Sequence, residues 1–188
     1  VIHSEDFEMR AIFGDAGAAV ILENSHQGKI GRFVFGTDGS GAENLNVENG
    51  STRNQIDEKW LKTYENEPGK LSHGRMHMNG LEIVRFSLQK VPALLEQVLL
   101  KNNVEFEEID LFIFHQASDF ILRSLQRKCK IPSEKFYTYF EEIGNTVSCS
   151  IPIAMRQAEL EGKLKRGYKV LIAGFGVGYS WGGTVIDY

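Results

Sequence analysis

Cysteine is scarce in this sequence. Cys129 and Cys149 are the two in 188 residues, too few for the disulfide framework of a small secreted domain, so a reducing cytoplasm is the expected setting. Long apolar runs are missing too. No stretch approaches the roughly 20 consecutive apolar residues a spanning helix needs, and the opening VIHSEDFEMR has neither the basic flank nor the apolar centre of a signal peptide, so no membrane role is expected. Excess positive charge is also lacking: the formal net charge is −4, which argues against a general nucleic-acid binder. An acidic partner would have to be met by a local basic patch. The chain does not begin with Met, which reads as a truncated, processed or partly observed polypeptide. What is present is 42% apolar residues, enough to bury a core in one domain or two intimately packed layers.

The chain is organised around Ile109 to Ser118, IDLFIFHQAS. Leu111 to Phe114 is wholly apolar, the pattern of a strand buried on both faces of a parallel sheet. It ends at His115 and a helix-forming run follows, which places the imidazole at the carboxyl edge of the sheet, where open α/β sheets bind ligands. Taken alone, a His at a strand end is more often a satisfied core residue. A second polar corner, Gly144-Asn145-Thr146, precedes another apolar run, so His115 and Asn145 are candidates to face one pocket.

Elsewhere the patterns are mostly architectural. Phe13 to Gly17 predicts a tight turn feeding a buried strand over Ala18–Leu22; as a phosphate cradle it lacks the full glycine fingerprint and a following helix. Gly36 to Asn44 is turn-rich, with short strands predicted at Ile30–Phe35 and Leu45–Val47. A short helix is predicted near Ile56–Tyr64. His73 and His77 lie four apart, but nothing nearby completes a zinc set and Arg75 to Met78 alternates like a strand, so no metal is expected. From Gly80, Leu81, Val84, Leu88, Val91, Leu95 and Val98 recur at helical spacing. Pro92 within that stripe predicts a kink or two abutting helices, because an interior proline costs about 3 kcal/mol. Asn102-Asn103 ends the helix. An amphipathic helix over 118–129, an aromatic strand over Phe136–Phe140, a helix over Ile151–Glu161 with Pro152 in its first turn, and strands over Tyr168–Ala173 and Trp181–Ile186 follow. The alternation is the mark of parallel βαβ units.

Four segments, FGDAGAAVIL from Phe13, FHQAS from Phe114, GNTVSCSIPIA from Gly144 and GFGVGYSWGGTVI from Gly174, resemble the condensing enzymes of the thiolase superfamily, most closely the 3-oxoacyl-acyl carrier protein synthase III family. The resemblance runs colinearly along nearly the whole chain. It implies an α/β fold of thiolase type with a layered α-β-α mixed sheet, comprising the end of the N-terminal half (residues 1–97, with a surface excursion and the start of the long helix) and a C-terminal synthase domain (98–188). It implies a decarboxylating Claisen condensation between an acyl group delivered by coenzyme A and malonyl-acyl carrier protein, in a cytoplasmic homodimer without a resident cofactor.

On the matching positions the resemblance makes His115 and Asn145 the catalytic donors. Two neutral N–H groups in a dry pocket suit an enolate oxygen, and neutral His115 is expected among carbon-chain substrates. The Val177 N–H becomes an oxyanion donor, provided its φ stays negative, and Phe175 shapes the pocket. Gly80, Ala117 and Ser118 become substrate contacts, and Arg85, Arg127 and Lys128 the contacts to the acidic carrier protein, although that basic face also reads as merely solvated. The family's acyl-accepting Cys precedes the FGD-type motif, and no Cys stands before Phe13. Cys149 sits where the family carries small core residues. Cys129, in a basic helix, would have a somewhat favoured thiolate but lies far from any oxyanion donor. The departures Ser118-Asp119-Phe120 and Leu81 keep a secondary-metabolism relative using acyl-coenzyme A in view, and the absent Cys keeps a non-catalytic partner subunit in view.

Overall fold

The computed structural model describes residues 2, 6–24, 26, 29–47, 49–50, 52, 54–58 and 76–188. At its centre is β5 (Leu111–Phe114), every residue of which is buried. Removing each such side chain from water stabilises the fold by about 1.5–3 kcal/mol. On either side of β5 lie parallel strands, β6 (Phe136–Tyr137) and β7 (Lys169–Gly176), with Phe112 opposite both Phe136 and Leu171. Beyond β7 the sheet turns antiparallel: β8 (Ser180–Asp187) pairs with β7, and its outer edge carries β1 (Lys29–Ile30) and β2 (Val34–Thr37). The expected run of parallel units therefore stops one strand early. Three residues, Val177 to Tyr179, connect β7 to β8, and so short a link can make only a hairpin.

Strand periodicity divides the core. Phe112 and Phe114 pack toward the long helix α2 (Gly80–Asn102) and α3 (Asp119–Lys128), meeting Leu94, Leu95, Val98, Leu122 and Leu125. Leu111 and Ile113 face the other way, against Ala154 and Ala158 of α5 (Ser150–Leu160). The result is three layers, helix on sheet on helix, with a mixed sheet. Outside it, β3 (Leu45–Val47) and β4 (Met76–Met78) form a separate antiparallel pair; a single turn, α1 (Phe7–Arg10), precedes the sheet and another, α4 (Phe140–Ile143), lies between β6 and α5.

α2 is one uninterrupted helix despite Pro92. Buried residues on both sides of the proline, Phe86 and Ser87 before it and Val91, Leu94, Leu95 and Val98 around and after it, anchor both segments and offset the lost backbone bond. Its stripe is shifted from the expected one, with Leu81 75% exposed. Asn79 caps the start, accepting from the Glu82 N–H, and Asn103 ends the helix at φ 52°.

Three local expectations fail for identifiable reasons. Ala18–Leu22 is not a buried strand: no described strand lies beside it, and Val20, Ile21 and Leu22 are 67%, 93% and 73% exposed. Ile30–Phe35 is broken at Arg32, whose N–H and carbonyl both bond the Asn102 side chain and make no backbone ladder bond, the carbonyl also accepting from the Thr184 hydroxyl. The aromatic strand ends at Tyr137, because the Tyr139 N–H is taken by the Gln116 side chain at 2.7 Å. The helix predicted at Ile56–Tyr64 and His73 fall largely or wholly outside the described residues, whereas His77 lies on β4. No helix among the described residues is long and apolar enough to cross a membrane.

Candidate active site

Asn145 is placed by a crossing of two backbones. The Asn145 N–H donates to the Ile12 carbonyl at 2.8 Å and its carbonyl accepts from Gly14 at 3.0 Å, so Phe13 and Asn145 form a parallel bridge. Such proximity demands glycine. A Cβ on Gly14 would overlap the Ile143 carbonyl oxygen, and Gly144, at φ 65°, would put one 2.9 Å from the Ile12 carbonyl. The FGD turn thus serves as structural support for the GNT corner. The side chain is oriented as firmly: Oδ1 accepts from the Val147 N–H at 2.9 Å, while Nδ2 donates to the Ala117 carbonyl at 3.2 Å. One Nδ2 proton remains for the cavity. Val147 turns its N–H inward by taking φ 55°, a strained conformation for a β-branched residue.

His115 continues the odd-numbered face of β5 and so leans toward the start of α5. Its Nδ1 lies 2.7 Å from Ser150 Oγ, and its backbone N–H donates to Ala173 on β7. The ring meets Phe175 edge to face with centroids 5.6 Å apart. Burial pushes its pKa down to about 4, only partly opposed by a hydrogen bond to the Val147 backbone. The neutral imidazole expected from the sequence is therefore the form present near neutrality. The neighbouring Gln116 is fully buried, donating to the Phe114 carbonyl and accepting from Tyr139, which fixes the end of the strand.

His115, Asn145 and Phe175 line a cavity of about 800 Å³, whose wall is otherwise largely apolar, including Phe33, Phe35 and Trp181. The same three line a second cavity of about 140 Å³, together with Gly80, Ala117 and Ser118. They stand where the two spaces meet. Val177 lies on the larger cavity, 46% exposed, and its φ is not positive. All seven of the pocket residues named from the sequence therefore converge, five of them from loops or strand ends.

The basic residues stand apart from the cavities. Arg85 pairs with Glu82 at 3.1 Å on α2, and Arg127 and Lys128 occupy the last turn of α3, where cations also suit the helix dipole. Arg123 is engaged by Asp119 at 2.6 Å and by Glu141. Ser118 caps α3, accepting from Ile121 at 3.3 Å, and Phe120 is 62% exposed. The departures at 118–120 thus have a helix-building account. Cys129 corrects an expectation. Burial pushes its thiol up to about 11, outweighing the nearby Lys128, because partial enclosure in the core penalises the thiolate more than one exposed cation favours it. Cys149 donates to the Ala16 carbonyl at 3.4 Å. Among the described residues no group of three or more His, Cys, Asp or Glu is placed to hold a metal.

Sequence reasoning missed Ser150 and Gln116. Both are buried polar residues next to a named donor. Their signal was a polar side chain inside an apolar run, Gln after FIFH and Ser before IPIA.

Comparison with known proteins points to one family. Residues 99–188 match the family model described as 3-oxoacyl-[acyl-carrier-protein] synthase III, C terminal. A beta-ketoacyl-[acyl-carrier-protein] synthase III of Synechocystis sp. is 35% identical over 93% of this chain and 51% of its own length. A 2.1 Å crystal structure of a 3-oxoacyl-(acyl-carrier-protein) synthase III superposes with TM-score 0.86 at 37% identity, covering 100% of this chain and 56% of that one. That of Aquifex aeolicus gives 0.78 at 31%, covering 98% and 53%. The chain spans about half the length of the relatives it matches.

Proposed function

This chain belongs to the 3-oxoacyl-[acyl-carrier-protein] synthase III family, and from that premise we propose that it supplies the His/Asn half of an initiating ketoacyl synthase site. The observation that carries the reading is the convergence of neutral His115 and an oriented Asn145 on one apolar cavity. In the reaction, the bond between the malonyl α-carbon and its carboxylate breaks and carbon dioxide leaves. The electron pair spreads onto the thioester oxygen, where N–H donors from His115 and Asn145 meet it. The resulting carbanion attacks an acyl thioester; the new carbon–carbon bond forms as the carbon–sulfur bond breaks and thiolate departs. Each such donor contributes about 3–4 kcal/mol of barrier lowering.

The acyl-accepting thiolate comes from outside the 188 residues, and neither Cys149 nor Cys129 replaces it. The Val177 N–H polarises the acyl carbonyl, and Gly80, Ala117 and Ser118, on the smaller cavity, contact the incoming thioester arm. Acyl-coenzyme A and malonyl-acyl carrier protein are the substrates, with Arg85, Arg127 and Lys128 meeting the acidic carrier. A cytoplasmic homodimer that needs no resident cofactor completes the proposal. In the full-length protein, His115→Ala is expected to lower malonyl decarboxylation by about 100- to 1,000-fold while sparing acylation of the thiol, followed by intact-mass measurement. Equal loss of both would remove His115 from the assigned role.

A further inference from the structure

The link between β7 and β8 carries Val177, yet the link itself does little to fix it. The Val177 side chain is half-exposed, Gly178 has none, and the Val177 carbonyl accepts from Ser180 Oγ within the same hairpin. The third residue, Tyr179, is buried, and the 3₁₀ turn Gly39–Asn44 grips it along its length. Before the turn, the Asp38 N–H donates to the Tyr179 carbonyl at 2.8 Å, and the Asp38 carbonyl accepts the Tyr179 N–H. In the middle, Gly41 lies against the ring so closely that a Cβ there would overlap it. At the end, Asn44 Nδ2 donates to the Tyr179 hydroxyl at 2.7 Å. The ring also stacks on Phe86 of α2, with centroids 4.1 Å apart and planes 9° from parallel.

Asn44 is itself fastened to the frame, because its carbonyl accepts from the N–H of Asn79, the cap of α2, at 2.7 Å. The Tyr179 side chain is therefore tied at its far end to a point that does not depend on the hairpin. Backbone pairing with Asp38 gives one point of fixation, about which a short link can still rotate. The hydroxyl bond gives a second, a whole side chain away, and two separated points resist that rotation. We propose that Tyr179 is a positioning residue that, through the bond from Asn44 to its hydroxyl, holds the β7–β8 link so that the Val177 N–H stays aimed at the acyl carbonyl oxygen. The proposal rests on the oxyanion role given to that N–H above. A main-chain donor has no rotamer with which to correct its aim, so its precision has to come from what holds the chain.

The test uses the full-length protein and follows two half-reactions: acylation of the thiol, by intact mass, and decarboxylation of malonyl-coenzyme A. Tyr179→Phe keeps the ring and its stack while removing the hydroxyl, and Asn44→Ala removes the same bond from the other side. Each is expected to slow acylation by about 10- to 100-fold, the scale of a donor misplaced by up to about 1 Å, and to change decarboxylation less than about threefold. The double variant should be no slower than the slower single, because all three lack one and the same bond. Acylation within about threefold of wild type in both singles overturns the proposal. So does equal loss of both half-reactions, which would mark a merely structural bond, or a double variant whose loss is the product of the two singles. A folded Val177→Pro, which has no N–H at that position, separates this proposal from the reading beneath it. If it acylates at the wild-type rate, the oxyanion role falls and the proposal with it; if it is slow while Tyr179→Phe matches wild type, the oxyanion role stands and the clamp alone is overturned.

Discussion

Gly14→Ala tests whether the backbone crossing beneath Asn145 holds the site together. The added methyl would stand 3.2 Å from the Ile143 carbonyl carbon and 3.4 Å from Thr146 Cγ2, and would overlap the Ile143 carbonyl oxygen. A peptide carbonyl cannot swing aside as a flexible side chain does, so the two strands must part by about 1 Å to restore van der Waals separation. Overpacking of this kind costs about 1–3 kcal/mol. Parting the strands also weakens the bonds from Asn145 to Ile12 and from Gly14 to Asn145, each contributing about 0.5–1.5 kcal/mol. The sum, about 2–6 kcal/mol, corresponds to a melting temperature lowered by at least roughly 4 °C. Displacing Asn145 by about 1 Å should cost a further 100-fold in turnover of whatever protein still folds. Calorimetry and decarboxylation assays on the full-length protein, with Asp15→Ala as the neighbouring control, would measure both. Gly14→Ala that melts with wild type and turns over at the wild-type rate would refute the reasoning, since it would mean that the crossing is loose.

Two further predictions concern charge and capping. Because burial holds the His115 pKa near 4, below its ordinary 6.5, the unfolded chain binds the proton first as pH falls. This group's contribution to stability is therefore intact above about pH 6.5 and declines toward pH 4, by up to about 3 kcal/mol. Decarboxylation should stay level down to about pH 5 and then fall, and the loss of stability below about pH 6.5 should be absent from His115→Gln denaturation curves; a decarboxylation midpoint near 6.5 would contradict the burial argument. Ser118→Ala removes the cap of α3 and should cost about 1 kcal/mol of stability. It should change turnover less than threefold if capping is its main task, and a hundredfold loss of turnover would instead make it a working substrate contact.

Much of this was legible in the sequence, and what was not follows a pattern. β5 and its His were readable because four consecutive apolar residues need two covering layers, and α3 because Ile121, Leu122 and Leu125 share a face. That His115 and Asn145 face one pocket was suggested by two polar corners flanking apolar runs, but their roles as paired donors rested on resemblance, since no periodicity brings residues 30 apart to one cavity. Ala18–Leu22 was misread because hydrophobicity announces a wish for cover and says nothing of who provides it. Of the two outcomes expected at Pro92, separate abutting helices do not occur, because packing on both sides of the proline holds one helix together. Ser150 was overlooked because a lone serine in an apolar run looks like any small core residue until its distance to a ring nitrogen is known.

The bridge between Phe13 and Asn145 has a practical side. A chain trimmed to start at Met76 would keep both polar side chains, the sheet's three parallel strands and the entire segment matched by the family model. It would lose the rail on which residue 145 is mounted, along with the outer strands clamped to β8. Such a trimmed protein should keep a recognisable helical content yet lack a settled GNT corner, so the smallest piece that looks complete by motif is smaller than the smallest piece able to hold the motif still.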